Sequence, residues 1–300
     1  MALRIGRVGF VGIGAMGRPM AARLVGAGYA VAVRDAAPGR AAAFVAAHGG
    51  QEAASAEALA ATADCIITML PTSRDVAAVL AELRPALQPG TLVIDMSSGE
   101  PAMTRTLAES LAPAGIAVVD APVSGGVARA ETGTLSIMTG GEEAALARAE
   151  PLLRTLGGSV TRCGGVGAGQ AMKALNNLVS AAGFLISIEA LLIGARFGLD
   201  PETMVEALNA GTGMNNSTQR KLNQFVLSRK FNSGFGLDLM VKDLGIALRL
   251  GEHTATPALL AAQTRELWAA AAALLGPGQD HTAIARLPET LAATELHPRA

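Results

Sequence analysis

Three glycines, Gly12, Gly14 and Gly17, stand in G-x-G-x-x-G spacing directly after the apolar run RIGRVGFVG and at the opening of a helical stretch. In that setting each glycine has its own task. The first permits a tight turn, the second lets backbone approach a pyrophosphate, and the third lets helix pack on strand. Free amides at the helix start, helped by the helix dipole, would hold the anion. The plain alternative is a glycine-rich turn without a ligand, and the strand-turn-helix context argues against it. Asp35 closes the next apolar run, YAVAVRD, where its carboxylate can accept from the hydroxyls of an adenosine ribose. That favours NAD, because a 2′-phosphate would meet a negative charge. Arg34 and Arg40 stand near enough to keep NADP open. The other use of such a residue is an Asx turn at a strand end.

Hydride transfer also needs a group that gives or takes the hydroxyl proton. None of the four histidines is well placed: His48 lies at an Ala/Gly helix end and His253, His281 and His297 lie in the C-terminal region, so all four are expected to be surface or structural. Lysine is more informative. The chain has 20 arginines and four lysines, Lys173, Lys221, Lys230 and Lys242. In an arginine-preferring chain, a lysine in the apolar helical run GQAMKALNN supplies what a guanidinium cannot, a charge that titrates once desolvated. Asn177 follows four residues later, hence on the same helix face, and its amide can position a substrate oxygen beside the ammonium. A lysine snorkelling beside a structural Asn is the bland counterpart. In DAPVSGG, Ser124, Gly125 and Gly126 put a hydroxyl and unencumbered amides after a strand, a turn that can cradle a carboxylate or serve simply as a loop.

The elements that must position these residues show two rhythms. From Arg4 to about Arg162, short apolar runs (YAVAVRD, DCIITML, TLVIDM, IAVVDAP, TLSIMTGG, SVTRCG) alternate with Ala-rich helical stretches at 16–26, 39–47 and 101–111. That alternation predicts α/β architecture with a mainly parallel sheet. After Gly169 no convincing strand remains. The spacing predicts an all-α region, with Gly198, Gly211, Gly213 and Gly234 separating helices, Asp200-Pro201 starting one, and a short tail from Gly276. Two domains are expected, 1–165 and 166–300, joined by a long helix starting near 169. The length of 300 residues agrees with two cores.

Composition narrows the partners. A net charge of −1 gives no field for a nucleic-acid backbone or an anionic membrane, and 3 % aromatic residues leave few stacking platforms for single strands. Cys65 and Cys163 have no neighbouring ligands at metal spacing, so neither a metal site nor a disulfide framework is expected, and Cys65 reads as a buried thiol. The run 178–195 is long and apolar enough for a membrane check, but Glu189 falls inside it and favours a buried connecting helix. The N-terminus lacks the features of a secretory signal, which points to the cytoplasm.

Together these segments resemble the β-hydroxyacid dehydrogenase family, nearly from end to end. GFVGIGAMGRPM (9–20) is similar to its cofactor signature, including Ala15 and Met16, DAPVSGG (120–126) to its substrate motif, GVGAGQAMKALNN (165–177) to its catalytic motif, and KDLGIA from Lys242 to its C-terminal motif. The resemblance implies a Rossmann domain, a helical domain and a cleft between them, with Lys173 as general acid/base and Asn177 orienting the substrate. It further implies that Ser124, Gly125 and Gly126 hold a substrate carboxylate, that Leu70, Pro71 and Ser98 contact the cofactor, and that Lys242 closes over nicotinamide and substrate with Phe235 lining the same cleft. The second serine of IDMSS stands where the family more often has threonine, which keeps the hydroxyl. The implied reaction interconverts a small 3-hydroxy carboxylate and its semialdehyde with NAD or NADP, and the implied assembly is a homodimer or homotetramer built through helical domains. Within the class the candidates are 3-hydroxyisobutyrate, tartronate semialdehyde or glycerate, and threonate; MNNSTQ (214–219) either tunes that choice or caps a helix. Imine reductases share the architecture but commonly carry Asp or Tyr at the position of Lys173, and a non-catalytic binding module would not need both Lys173 and Asn177.

Overall fold

The computed structural model describes residues 5–298. They form two compact units, dividing between Lys173 and Ala174 inside one long helix. The first unit carries the strands β1 (Arg7–Val11), β2 (Ala30–Arg34), β3 (Gln51–Glu52), β4 (Cys65–Thr68), β5 (Leu92–Asp95), β6 (Ala117–Asp120), β7 (Val123–Ser124), β8 (Leu135–Gly140) and β9 (Gly157–Gly164). Its helices are α1 (Gly17–Gly26), α2 (Arg40–His48), α3 (Ala56–Thr62), α4 (Ser73–Leu83), α5 (Pro101–Leu111), α6 (Gly126–Thr132) and α7 (Glu143–Leu156). The strand order β3-β2-β1-β4-β5-β6-β8-β7, with β9 on β8, begins as the doubly wound order of dinucleotide-binding sheets. β1 to β6 pair in parallel, whereas β8 runs antiparallel to both β6 and β7.

Why these runs become central strands is visible in their alternation. Val8 and Phe10, Cys65 and Ile67, and Leu92 and Ile94 join one core, while Val11, Ile66 and Val93 point to a second core on the other face. Strands buried on both faces need continuous apolar sequence, which is what VGFV, CIIT and LVI supply. Gly9 belongs to the second face, where a Cβ would come within 2.8 Å of Ile66 and 2.9 Å of Leu59, so α3 packs directly on bare backbone.

The long helix α8 (Ala168–Phe197) leads into α9 (Pro201–Ala210), α10 (Asn216–Arg220), a π-helical turn (Leu222–Leu227), α11 (Leu237–His253), α12 (Leu259–Leu275), a 3₁₀ turn (His281–Ala285) and α13 (Arg286–Ala292). Asp200 caps α9 through Thr203 N at 2.9 Å, and Asn215 caps α10 in a reciprocal box with Thr218, so MNNSTQ does start a helix. Phe184, Ile188 and Leu191 of α8, at helical spacing, pack with Leu222, Leu244 and Trp268 in the core of the second unit. By length and composition α8 could cross a membrane, yet this face serves an internal core. The short tail expected from Gly276 packs into the second unit: it buries Ile284, Ala285 and Leu296, and Asp280 accepts from Thr282 N, Gly234 N and Ser233 Oγ. His281 is stacked on Trp268 at 6.3 Å with Phe184 and Phe235 around it, a structural histidine whose burial lowers its pKa.

Candidate active site

The glycine loop has the geometry its spacing implies. Gly12 sits at φ +99°, and a Cβ there would lie 2.3 Å from Met69 O. At Gly17 a Cβ would lie 1.8 Å from Gly12 O. Gly14 differs, because a Cβ there would meet nothing within 4 Å, leaving space over the backbone. α1 begins with no side-chain cap and no acid in its first turn, so its start is suited to an anion. These residues fit the pyrophosphate of a dinucleotide, with Ala15 and Met16 in the same turn.

Asp35 forms the Asx turn that is the alternative reading of it. Its carboxylate accepts from Ala37 N at 2.8 Å, the Asx turn, and from Ile13 N at 2.7 Å, so it also braces the glycine loop. Arg40 pairs with it at 3.0 Å. Arg34, expected to be available to a 2′-phosphate, is instead held by Glu82 through bonds of 3.0 and 2.7 Å, a correction whose cause is a carboxylate arriving from α4. Leu70, next to Pro71, follows β4 and donates its amide to Ser97 Oγ at 2.9 Å, which ties the loops after β4 and β5 together. Ser98 follows in the same loop, half-buried.

Lys173 and Asn177 lie one turn apart on α8, 6 % and 5 % exposed. Three buried residues that sequence reasoning missed hold the first turn of this helix. Asp120 accepts from Gly167 N at 2.7 Å and Gln170 N at 2.8 Å. Gln170 donates to Ser97 O at 2.9 Å and Asp95 Oδ2 at 3.2 Å, and accepts from Gly99 N at 2.7 Å. Asp95 in turn accepts from Thr68 Oγ1 at 2.8 Å. Burial pushes the Asp120 carboxyl up to about 6, against the pull of its two backbone amides and with help from the negative charge of Asp95.

Ser124 ends β7, and Gly125 and Gly126 follow at φ +132° and +70°. A Cβ on Gly125 would strike Arg129, at 2.5 Å from its Cδ, whereas a Cβ on Gly126 would meet nothing within 4 Å. The turn thus offers open backbone on one side only.

In the second unit, Asn177 Nδ2 donates to Asp243 Oδ2 at 2.6 Å, and Asn177 Oδ1 accepts from Asn176 at 3.1 Å. Asp243 is 1 % exposed, and its Oδ1, 3.3 Å from Lys242 Nζ, makes no hydrogen bond. The sequence signal for Asp243 was a lone acid amid apolar neighbours after Lys242. Phe235, in the loop before α11, is partly buried with its ring edge-on to His281 at 5.5 Å.

Comparison with known proteins extends this geometry. Residues 7–165 match the family described as the NAD binding domain of 6-phosphogluconate dehydrogenase, and residues 167–288 match that described as NAD-binding of NADP-dependent 3-hydroxyisobutyrate dehydrogenase. The chain is 36 % identical to 2-(hydroxymethyl)glutarate dehydrogenase of Eubacterium barkeri over 95 % of both sequences. It is 37 % identical to mitochondrial 3-hydroxyisobutyrate dehydrogenase of Bos taurus, over 87 % of this chain and 80 % of that one. Among solved structures, Mycobacterium tuberculosis 3-hydroxyisobutyrate dehydrogenase with L-serine superposes with a TM-score of 0.88 at 35 % identity, covering 95 % of this chain and 99 % of that one. With both parts of the sequence matched and relatives spanning almost its whole length, the chain belongs to the β-hydroxyacid dehydrogenase family of NAD(P)-dependent oxidoreductases.

Proposed function

We propose that this enzyme oxidises the primary hydroxyl of a small acid of the form HOCH₂–CHR–COO⁻ to the semialdehyde, or runs the reverse reduction. The observation that carries this reading is the pairing of Lys173 and Asn177 on one face of α8, both nearly buried. 3-Hydroxyisobutyrate, 2-(hydroxymethyl)glutarate and L-serine, named with the related proteins, share that skeleton and differ only in R. When bound, the dinucleotide supplies the hydride acceptor at its nicotinamide. In oxidation neutral Lys173 takes the hydroxyl proton, and in reduction its ammonium returns it. Asn177, its amide fixed by Asp243, orients the oxygen that gains or loses that proton. Ser124 and the amides of Gly125 and Gly126 grip the carboxylate, Leu70, Pro71 and Ser98 border the cofactor, and Lys242 and Phe235 complete the substrate surroundings. NAD is the preferred cofactor: Asp35 puts a carboxylate, shared with Arg40, at the ribose end, and Arg34 is already held by Glu82.

A screen of 3-hydroxyisobutyrate, 2-(hydroxymethyl)glutarate, serine and glycerate with NAD and NADP, with threonate, whose 3-hydroxyl is secondary, as the contrast, read by absorbance of the reduced nicotinamide, tests the reading. Turnover of at least one acid with NAD favoured is expected. Activity confined to imines or to uncharged alcohols would overturn it.

A homodimer or homotetramer is the assembly we propose. Val179, Ile186 and Ile193 recur every seven residues along α8 at 73, 60 and 72 % exposure, an apolar stripe for a second copy to cover. Ile186→Glu with Ile193→Glu should give a monomer in sedimentation velocity, and an unchanged assembly would place the interface elsewhere.

A further inference from the structure

α8 has no local cap. The residue before it, Gly167, lacks a side chain, and the carboxylate that satisfies the first turn comes from the end of β6 instead. Asp120 is completely buried and bridges Gly167 N and Gln170 N with one oxygen each. Bare backbone lets the helix start approach this closely. A Cβ on Gly169 would fall 2.4 Å from Met138 O and 2.8 Å from Asp120 Oδ2, and one on Gly140 would fall 2.6 Å from Gly165 O and 2.7 Å from Asp120 Oδ1.

Gln170 adds a second attachment. Its amide spends both ends on the loop after β5, reaching Ser97 O, Asp95 Oδ2 and Gly99 N, and Asp95 is itself fixed by Thr68 Oγ1 and Ser97 N at 3.0 Å. Ser97 also receives the Leu70 amide, so the loops expected to border the cofactor and the start of α8 share one buried polar network.

Resting on the dehydrogenase reading above, we propose that Asp120 and Gln170 are positioning residues that set where Lys173 holds its ammonium. Lys173 lies three residues beyond Gln170, about 4.5 Å along the helix. A shift of the first turn therefore moves the backbone that carries Lys173, and displacement of a reacting group by about 1 Å costs about a hundredfold in rate. A cap that served folding alone would leave the lysine's chemistry unchanged in any variant that still folds.

Asp120→Asn and Gln170→Leu test this, each removing a different attachment, so that either one reports should the other fail to fold. Competitive acetylation of Lys173 against the exposed Lys230, followed across pH by mass spectrometry, reports the lysine without needing a substrate. In folded variants the Lys173 to Lys230 ratio should change by about threefold or more, and kcat should fall by about tenfold or more while KM and, in Asp120→Asn, the dinucleotide Kd stay within about threefold. An unchanged labelling ratio, or a loss carried by KM alone, would overturn the proposal. If the wild-type enzyme turned over no hydroxy acid while the variants still shifted the labelling of Lys173, the positioning role would stand and the dehydrogenase reading would fail.

Discussion

The side-chain amide of Asn177 donates to the carboxylate of Asp243 across 2.6 Å, with both groups buried. A buried charge-assisted bond of this kind fixes which way the amide faces. The nitrogen of Asn177 is committed to α11, and its oxygen faces Asn176 at 3.1 Å. The residue proposed to orient the substrate is therefore itself oriented before substrate arrives, which limits the reorganisation left to the reaction.

Lys173→Arg keeps the charge and removes the amine that titrates. The rate of the chemical step should drop by about a hundredfold or more, in keeping with the contribution of a general acid/base. Dinucleotide affinity, measured by equilibrium titration, should stay near wild type. Near-normal turnover in single-turnover experiments would remove Lys173 from the proton-transfer role.

Asp35→Ser tests cofactor choice, and the structure changes the outcome to be expected of it. The substitution removes the proposed ribose acceptor and also the partner of Ile13 N, so NAD efficiency should fall by about tenfold or more. NADP should gain only what Arg40 supplies once it loses its carboxylate partner, because Arg34 stays bound to Glu82. Combining it with Glu82→Gln frees the guanidinium, and the double variant should favour NADP. Measured kcat/KM for the two cofactors decides, and a wild type indifferent between them would count against Asp35 as the discriminator.

What the sequence made legible were the groups that act through local spacing. The three glycines, the alternating runs of β1, β4 and β5, and the four-residue interval from Lys173 to Asn177 carry their geometry in adjacent residues. The network behind them does not. Asp120 and Gln170 are 50 positions apart, Asp95 and Gln170 75 apart, and nothing in either neighbourhood says that the other end will be a partner. Arg34 misled for the same reason, since its position beside Asp35 is local and its capture by Glu82, 48 residues away, is not. The packing of the tail beyond Gly276 is not legible locally either, since Asp280 holds it through contacts with residues 233 and 234.

Ser124→Ala separates a carboxylate cradle from a plain loop. Removing the hydroxyl should lower kcat/KM for 3-hydroxy acids by about tenfold, the worth of one hydrogen bond to a charged group. It should leave the slow turnover of a neutral alcohol such as propane-1,2-diol and the dinucleotide Kd unaltered. Gly126→Ala should act more strongly, because φ is +70° and the new methyl enters the open side of the turn. Equal losses on charged and uncharged substrates would assign the turn a structural task instead.

Asp120 also makes stability depend on pH, in a direction that can be worked out. Its carboxyl is raised from 3.8 to about 6 in the fold, chiefly by burial, so the folded protein holds this proton after the unfolded chain has released it. Below about pH 4 both states are protonated and the group costs nothing. Between about pH 4 and 6 the unfolded state loses its proton first, so stability falls as pH rises, and above about 6 the loss levels off at about 3 kcal/mol. Asp120→Asn does not titrate and should lack that slope, although it gives up one of the two amide bonds to α8. Urea midpoints for the two proteins, measured from pH 4 to 7, should therefore converge toward neutral pH, with the wild type gaining relative to the variant as the solution is acidified. Parallel curves would mean that Asp120 ionises as freely in the fold as in the unfolded chain, and that its two backbone bonds fully offset its burial.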